Sequence, residues 1–307
     1  MIQPVLFHFG WLRYEAEAFD GVEWFLLGVV EVLVLALVLG LAERRFALEA
    51  ITDRRAVAVD VIYTLLHRLG AIGLLAFALL TPVIDFVETA LRSQGVSRPN
   101  LDQLVPGVTD LPWVSVAIYL VVLDFVDYWL HRGQHRFAWW WALHAVHHSQ
   151  RQLTFWSDDR NHLLDDLIRD AVMAFVALAI GVAPAQFVLL TVLTRVLQSL
   201  QHANFRLGFG PLLSRILVDP IFHRRHHAID VGADGAGDGN FGVLFSIWDQ
   251  IFGTAQFERS SLPTGIRDQL DGRDYGRGFW RQQVLGLQRM FGRAQARGIG
   301  PRRIIAR

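Results

Sequence analysis

Residues 111–148 read LPWVSVAIYLVVLDFVDYWLHRGQHRFAWWWALHAVHH. The first part, Leu111 to Leu130, is a predominantly apolar run long enough to cross a bilayer as a helix, with Asp124 and Asp127 near its end. Directly beyond it, His131 and His135 stand four apart, and His144, His147 and His148 follow at spacings of three and four. Side chains at those offsets share one face of a helix, so each cluster points its imidazoles at one place. The stretch predicts a helix that leaves the membrane and, within a few residues, presents a set of histidines. Trp139, Trp140 and Trp141 are expected at the membrane interface, where aromatic belts sit.

Three more apolar regions surround this one. Trp24 to Ala42 carries a single charge, Glu31. Ala56 to Phe86 is interrupted by Asp60, His67, Arg68 and Asp85, and its clean part is Leu69 to Ile84. Ala171 to Leu200 is two arms joined by Gly181-Val182-Ala183-Pro184, a helical hairpin that spans or re-enters. With 52% hydrophobic residues over 307 positions, the composition fits a membrane protein better than a soluble domain. We therefore expect an all-α integral-membrane fold of about four transmembrane helices or helical hairpins, with a cytosolic helical cap carrying the histidine clusters. The division expected is 1–110 for N-terminal anchor helices, 111–259 for the catalytic region and 260–307 for an Arg-rich C-terminal tail on the membrane surface or partly disordered. All 29 basic residues are Arg, a bias that GC-rich genomes produce, and we expect a bacterial inner membrane. Arg44, Arg45, Arg54 and Arg55 follow the first span, so the positive-inside rule places that loop, and with it every histidine from 131 onward, on the cytoplasmic side. Met1 to Asp20 does not read as a secretory signal peptide.

The chemistry is narrowed by what is missing. There is no Cys, so thiolate sites and iron–sulfur clusters are excluded and a transition metal must be held by His, Asp or Glu. Ten of the 12 His lie between 131 and 227; His223, His226 and His227 repeat the spacing of 144–148, and His202 ends the fourth apolar region. So many imidazoles exceed what one ion uses, and two metals account for them better. Residues 131–135 lack the Glu of a zinc-protease HExxH, whereas iron suits an all-nitrogen site that cycles its redox state and activates O2. His8 and His67 stay outside this reading, His67 as a polar interhelical contact beside Arg68. Val231 to Asn240 is Gly- and Asp-rich but lacks a phosphate-loop pattern. A net charge of zero names no partner, and nucleic acid is not expected.

The boxes Asp124-Phe-Val-Asp127-Tyr-Trp-Leu-His131 to His135, His144-Ala-Val-His147-His148 and His223-Arg-Arg-His226-His227 resemble the fatty acid hydroxylase/sterol desaturase superfamily, with its HxxxH, HxxHH and HxxHH signature. Asn240-Phe-Gly to Trp248-Asp249 and Gly253-Thr254 is similar to that family's NxG…WDxxFGT ending, and Gln201-His202-Ala-Asn204 falls where members place another ligand. The resemblance implies two irons (zinc substitutes readily in imidazole sites), O2 as co-substrate, and hydroxylation or desaturation of a lipid C–H bond. Its ligands would be His131, His135, His144, His147, His148, His202, His223, His226 and His227, with His162 as a tenth, although His162-Leu-Leu-Asp165 lacks the Pro that some members carry there. Arg206 stands where some members place a further His. Asp127 and Asp124 are the candidates to receive the second ring nitrogen of a ligand; Asp158, Asp159, Asp165, Asp166 and Asp249 are further ones. A lipid substrate entering from the bilayer and a separate electron donor, a ferredoxin or a cytochrome with its reductase, are implied. The alternatives are a membrane metallohydrolase and a metal transport or storage protein.

Overall fold

Long apolar runs must satisfy their backbone polar groups internally, and helices do this within one segment. The computed structural model describes residues 15–96, 105, 107, 110–182, 184–229, 239–258 and 262–292, and it is all-helical, with only isolated bridges and no named strand among them. The helices are α1 (Glu15–Phe46), α2 (Arg54–Arg68), α3 (Ala71–Ser93), α4 (Pro112–Arg136), α5 (Ala138–His148), α6 (Leu163–Ala179), α7 (Pro184–His202), α8 (Gly210–Leu213), α9 (Pro220–His226), α10 (Ile247–Ile251) and α11 (Phe279–Met290).

Three helices among the described residues are long and apolar enough to cross a membrane: Gly21–Phe46 within α1, Ala71–Ser93 and Pro112–Arg136. The expected fourth crossing is a hairpin of α6 and α7 that reverses at Gly181, whose φ of 74° lies in the left-handed region. Neither arm joins the three long apolar helices, so a count of four spans is not confirmed. The arms pack on α4 instead, through Tyr119, Leu123, Ala177 and Leu190.

The run from Ala56 to Phe86 is two elements. Gly70, at φ 86°, separates α2 from the span α3. Helix α2 buries Asp60 and Arg68, which explains why this stretch is interrupted by charge. Arg68 is bound by Glu31 of α1, by Asp158 (2.8 Å) and by Asp159 (2.9 Å), and it donates to Ser199 of α7 (2.8 Å). Asp60 accepts from Arg160, Ser157 and Gln150. Each charge is compensated; removing one partner of such a buried set costs roughly 3–5 kcal/mol, because the others are left unpaired. α2 thus forms a wall of the histidine-bearing half, and it is not among the helices long and apolar enough to cross a membrane.

The C-terminal segment is also more than a tail. Residues 262–292 fold back on α5 and α2: Tyr275 and Ile266 pack with Ala145, and Phe279 packs with Val59, Tyr63 and Val146. Gln283 accepts from the Leu163 amide (2.8 Å) and donates to Tyr63 (2.9 Å). The rest of the expected tail, 293–307, lies outside the described residues.

α1 and α2 meet where Gly28 faces the end of α2. A Cβ at Gly28 would sit 1.7 Å from the Arg68 carbonyl oxygen, whereas one at Gly21 would meet only Leu74, at 3.9 Å. Gly28→Ala is therefore expected to force the helices apart and destabilise the protein by roughly 1–3 kcal/mol, while Gly21→Ala melts like the parent. Thermal unfolding in detergent compares the two; equal melting temperatures would remove this contact from the account.

Candidate metal centre

Four helices deliver the histidines. His131 and His135 come from the last turns of α4, and the chain breaks at the extended Phe137 before α5 brings His144, His147 and His148. His202 closes α7. α9 starts on Pro220 behind the Asp219 cap, whose Oδ1 accepts from the Phe222 amide (2.8 Å), and carries His223 and His226 with His227 at its end.

These side chains sort into two groups, His131, His135, His144, His148 and His226 in one, and His147, His202, His223 and His227 in the other; within each group the ligand atoms lie within 4.8 Å of one another. The sorting follows helix geometry. Partners four apart (131/135, 144/148, 223/227) stay together, while the residue next to the last of each HxxHH, His147 or His226, is turned by about 100° and joins the other group. Both HxxHH boxes therefore serve both groups. Arg206, which stands where some members place a further His, is exposed, and the second group has four members rather than five.

Hydrogen bonds fix which nitrogen faces inward. In the five-histidine group, Nδ1–H of His131 donates to the Phe241 carbonyl (2.8 Å), that of His226 to the Gly239 carbonyl (2.8 Å) and that of His144 to Asp165 (3.0 Å). Nε2 of His135, His144, His148 and His226 is buried with no protein partner among the described residues. In the four-histidine group the Nε2 atoms converge directly: His202 to His147 is 3.2 Å, His223 to His202 is 3.0 Å and His227 to His223 is 3.1 Å. Nitrogens each about 2.1 Å from one ion would lie about 3.0–3.4 Å apart. His202 is oriented by Nδ1–H donation to the Gln198 carbonyl (2.8 Å).

Burial first, and neighbouring imidazoles second, hold His147, His148, His223 and His227 well below the ordinary histidine range. Burial likewise lowers His202 to about 4 and His226 to about 3. These rings are neutral at physiological pH, which is the state that binds a metal. Buried Nε2 atoms without a protein partner in the first group, and Nε2 atoms that converge on one another in the second, form a donor array that fits two metal ions.

The fatty acid hydroxylase profile matches residues 116–254, the segment that contains all nine of these histidines. These residues are a domain of the fatty acid hydroxylase/sterol desaturase superfamily. The chain carrying this hydroxylase-family domain is 30% identical to the alkylglycerol monooxygenase of Caenorhabditis elegans over 162 residues, covering 51% of the chain and 30% of that protein. Ornithine lipid hydroxylase OlsE of Rhizobium tropici is 30% identical over 191 residues, 62% of the chain and 55% of the relative. Human alkylglycerol monooxygenase is 30% identical over 157 residues, 51% of the chain and 34% of the relative. The matches thus span between about a third and about half of the length of these relatives. No solved structure matches the chain.

Three expectations are corrected by the geometry of this domain. His162 stands apart from both groups: its Nδ1 accepts from the Leu164 amide (3.1 Å) as the cap of α6, and its Nε2–H donates to the Gln283 carbonyl (2.9 Å), so neither nitrogen is free to bind a metal. Asp127 is engaged by Arg169, with Nε donating at 2.7 Å, and Asp124 accepts from the amides of Leu244 (2.8 Å) and Phe245 (3.1 Å) and from the Trp248 indole (2.8 Å). Both are structural supports, Asp124 tying α4 to the segment whose Phe241 carbonyl holds His131. The tryptophans divide as well. Trp139 is 46% exposed, but Trp140 is buried and donates to Asp165 (2.6 Å), while the Trp141 ring lies 4.9 Å from that of His135.

Asp165 takes the role expected of Asp127. It sits in the first turn of α6, where the helix dipole favours a carboxylate, and accepts from Gln134 (2.8 Å), Trp140 and His144. Asp249 accepts from the amides of Phe241 (2.8 Å) and Gly242 (2.7 Å), and Asn240 adopts a left-handed φ of 60°. Together they shape the turn whose carbonyls hold His131 and His226. Asn is among the few non-glycine residues that tolerate such a φ, which is the signal in the sequence that could have pointed to this turn.

The parent protein is expected to bind two metal ions per chain by mass spectrometry of acid-digested samples. H131A/H135A should retain one ion and H223A/H227A the other, because each double change empties one group. H162A should keep both. Asp165→Ala is expected to weaken the five-histidine site about 10–100-fold, with Asp165→Asn milder. Loss of both ions in every variant would show that the two groups are not separate sites.

Proposed function

We propose that this protein is an O2-dependent, non-haem di-iron enzyme that hydroxylates an unactivated C–H bond of a membrane lipid. The observation that carries the reading is the pair of all-imidazole groups, five and four histidines, gathered from the end of the span α4, the end of the hairpin arm α7 and the short helices α5 and α9. The nine histidines would hold two irons, which would supply the redox chemistry for O2-dependent oxidation of a C–H bond. The overall conversion takes lipid, O2, two electrons and two protons to an alcohol and water. In this reading a ferredoxin or a cytochrome with its reductase supplies the electrons.

The chain's own contribution is arrangement. Carbonyls of Phe241, Gly239 and Gln198 and the carboxylate of Asp165 hold the rings in one tautomer. Burial keeps bulk water from the imidazoles. All nine are either buried or, for His135, partly so. The apolar flanks of α3 and α4, with Leu74, Phe77, Trp113 and Val121 exposed, suit entry of a substrate from the bilayer. Hydroxylation is favoured over desaturation because the relatives carry hydroxylase and monooxygenase names, and a lipid is favoured because those names specify alkylglycerol and ornithine lipid. Arg44 and Arg45 at the end of α1 and Arg54 and Arg55 at the start of α2 support a cytoplasmic site in a bacterial inner membrane. The catalytic unit, in this reading, is 116–254 with α2 and residues 262–292 packed against it.

Iron-loaded protein in lipid nanodiscs, supplied with a reduced ferredoxin system and offered alkylglycerols, ornithine lipids, sterols and fatty acyl lipids under 18O2, is expected to yield a product heavier by one labelled oxygen. Label arriving from water, or turnover without O2 uptake, would replace this reading with hydrolysis.

A further inference from the structure

Helix α11 presents two unlike faces. The inner one buries Phe279, Gln282, Gln283, Gly286 and Arg289. It fits closely, since a Cβ on Gly286 would come within 2.4 Å of the His162 ring. The outer face exposes Trp280 (74%), Val284 (50%), Leu287 (36%) and Phe291 (68%), at spacings of four, three and four, so they form one stripe along the helix. Only Arg281 and Gln288 interrupt the exposed side, and Arg281 is paired with Asp274 (2.6 Å). Four large apolar side chains in a row on a surface helix are not accounted for by packing among the described residues.

The neighbour of α11 has the same character. The Phe279 ring lies 4.7 Å from that of Tyr63 on α2, and α2 exposes Ala58, Ile62 and Leu65, again at spacings of four and three. α2 links the end of one span to the start of the next. The depth of α11 is set by what lies beneath it. Gly286 and Gln283 sit on His162 and Leu163, the first residues of α6. Leu163, Leu164 and Leu167 then line an apolar groove of about 210 Å³ against Ile72, Leu75 and Leu79 of the span α3. α11 therefore crosses the chain at the level where α3 and α6 enter the apolar layer.

We propose that the outward faces of α2 and α11 lie in the headgroup region of the bilayer that the spans cross, so that the C-terminal segment fixes the histidine half at the membrane surface. Trp and Phe alongside Leu on one face and Arg at the polar margin are the composition of a helix that rests in an interface plane. Continuity with α3 selects the bilayer over a second protein as the occupant. The proposal is independent of the chemistry at the metal groups.

The chain has no Cys, so single cysteines can be introduced and spin-labelled without background. V284C and L287C test the apolar stripe, and Q288C tests its polar margin; all three positions are exposed, so the label displaces no packing. In full-length protein in nanodiscs of phosphatidylcholine and phosphatidylglycerol, power saturation measures access to O2 and to a water-soluble nickel chelate. The expected result is several-fold more O2 than chelate access at V284C and L287C relative to Q288C. Equal chelate access at all three would place the stripe in water. Shielding of V284C and L287C from both reagents would mean that a protein, a second copy or a partner, covers it. Either result overturns the proposal.

Discussion

Nine imidazoles within two pockets a few ångströms across can coexist only if they are not protonated. As cations they would repel one another at short range in a medium of low dielectric, where unit charges interact far more strongly than in water. Burial lowers the proton affinity of His147, His202 and His226. The price is a set of nitrogens that water cannot reach, so each ring must be aimed by a protein acceptor or left pointing at a metal. Phe241, Gly239, Gln198 and Asp165 supply four of those acceptors.

That requirement explains parts of the chain that have no histidine. The segment 239–254 contributes carbonyls rather than ligands, and its shape depends on Asp249, on the left-handed Asn240 and on the tie from Asp124. On the other flank, Asp158 lies 3.6 Å from Nδ1 of His202 and is bound by Arg68, which also compensates Glu31 and Asp159. A buried arginine among three carboxylates joins α1, α2, the 155–159 turn and α7 into one support beside the four-histidine group. Charges that looked like interruptions of an apolar run are the means by which that run is attached.

Much of the site was legible because metal-ligand spacing on a helix is local. HxxxH and HxxHH place side chains on one face whatever the rest of the fold does, so the nine histidines that the fold gathers into two groups could be read directly. His162 and Asp127 were misread for one reason: proximity in sequence to a ligand box does not determine which way a ring or carboxylate is recruited. His162 begins α6 and is bonded through both nitrogens to α6 and α11, and Asp127 is drawn to Arg169, 42 positions away. Trp140 was taken for an interface residue because three consecutive tryptophans look alike in sequence, yet successive positions on α5 are turned by about 100° and only Trp139 is largely exposed.

The sequence by itself determined the helical membrane class, the lack of thiolate donors in the given chain and the histidines that gather, since each depends on run length, composition or spacing within a turn or two. Tertiary structure alone decided that each HxxHH box serves both metal groups, that Asp165 rather than Asp127 orients a ligand, that α2 belongs to the site wall and that residues 262–292 close over α5. All four depend on contacts between segments far apart in the chain. Side chains such as Gln283 and Tyr63, 220 positions apart, acquire a partner only when the helices pack.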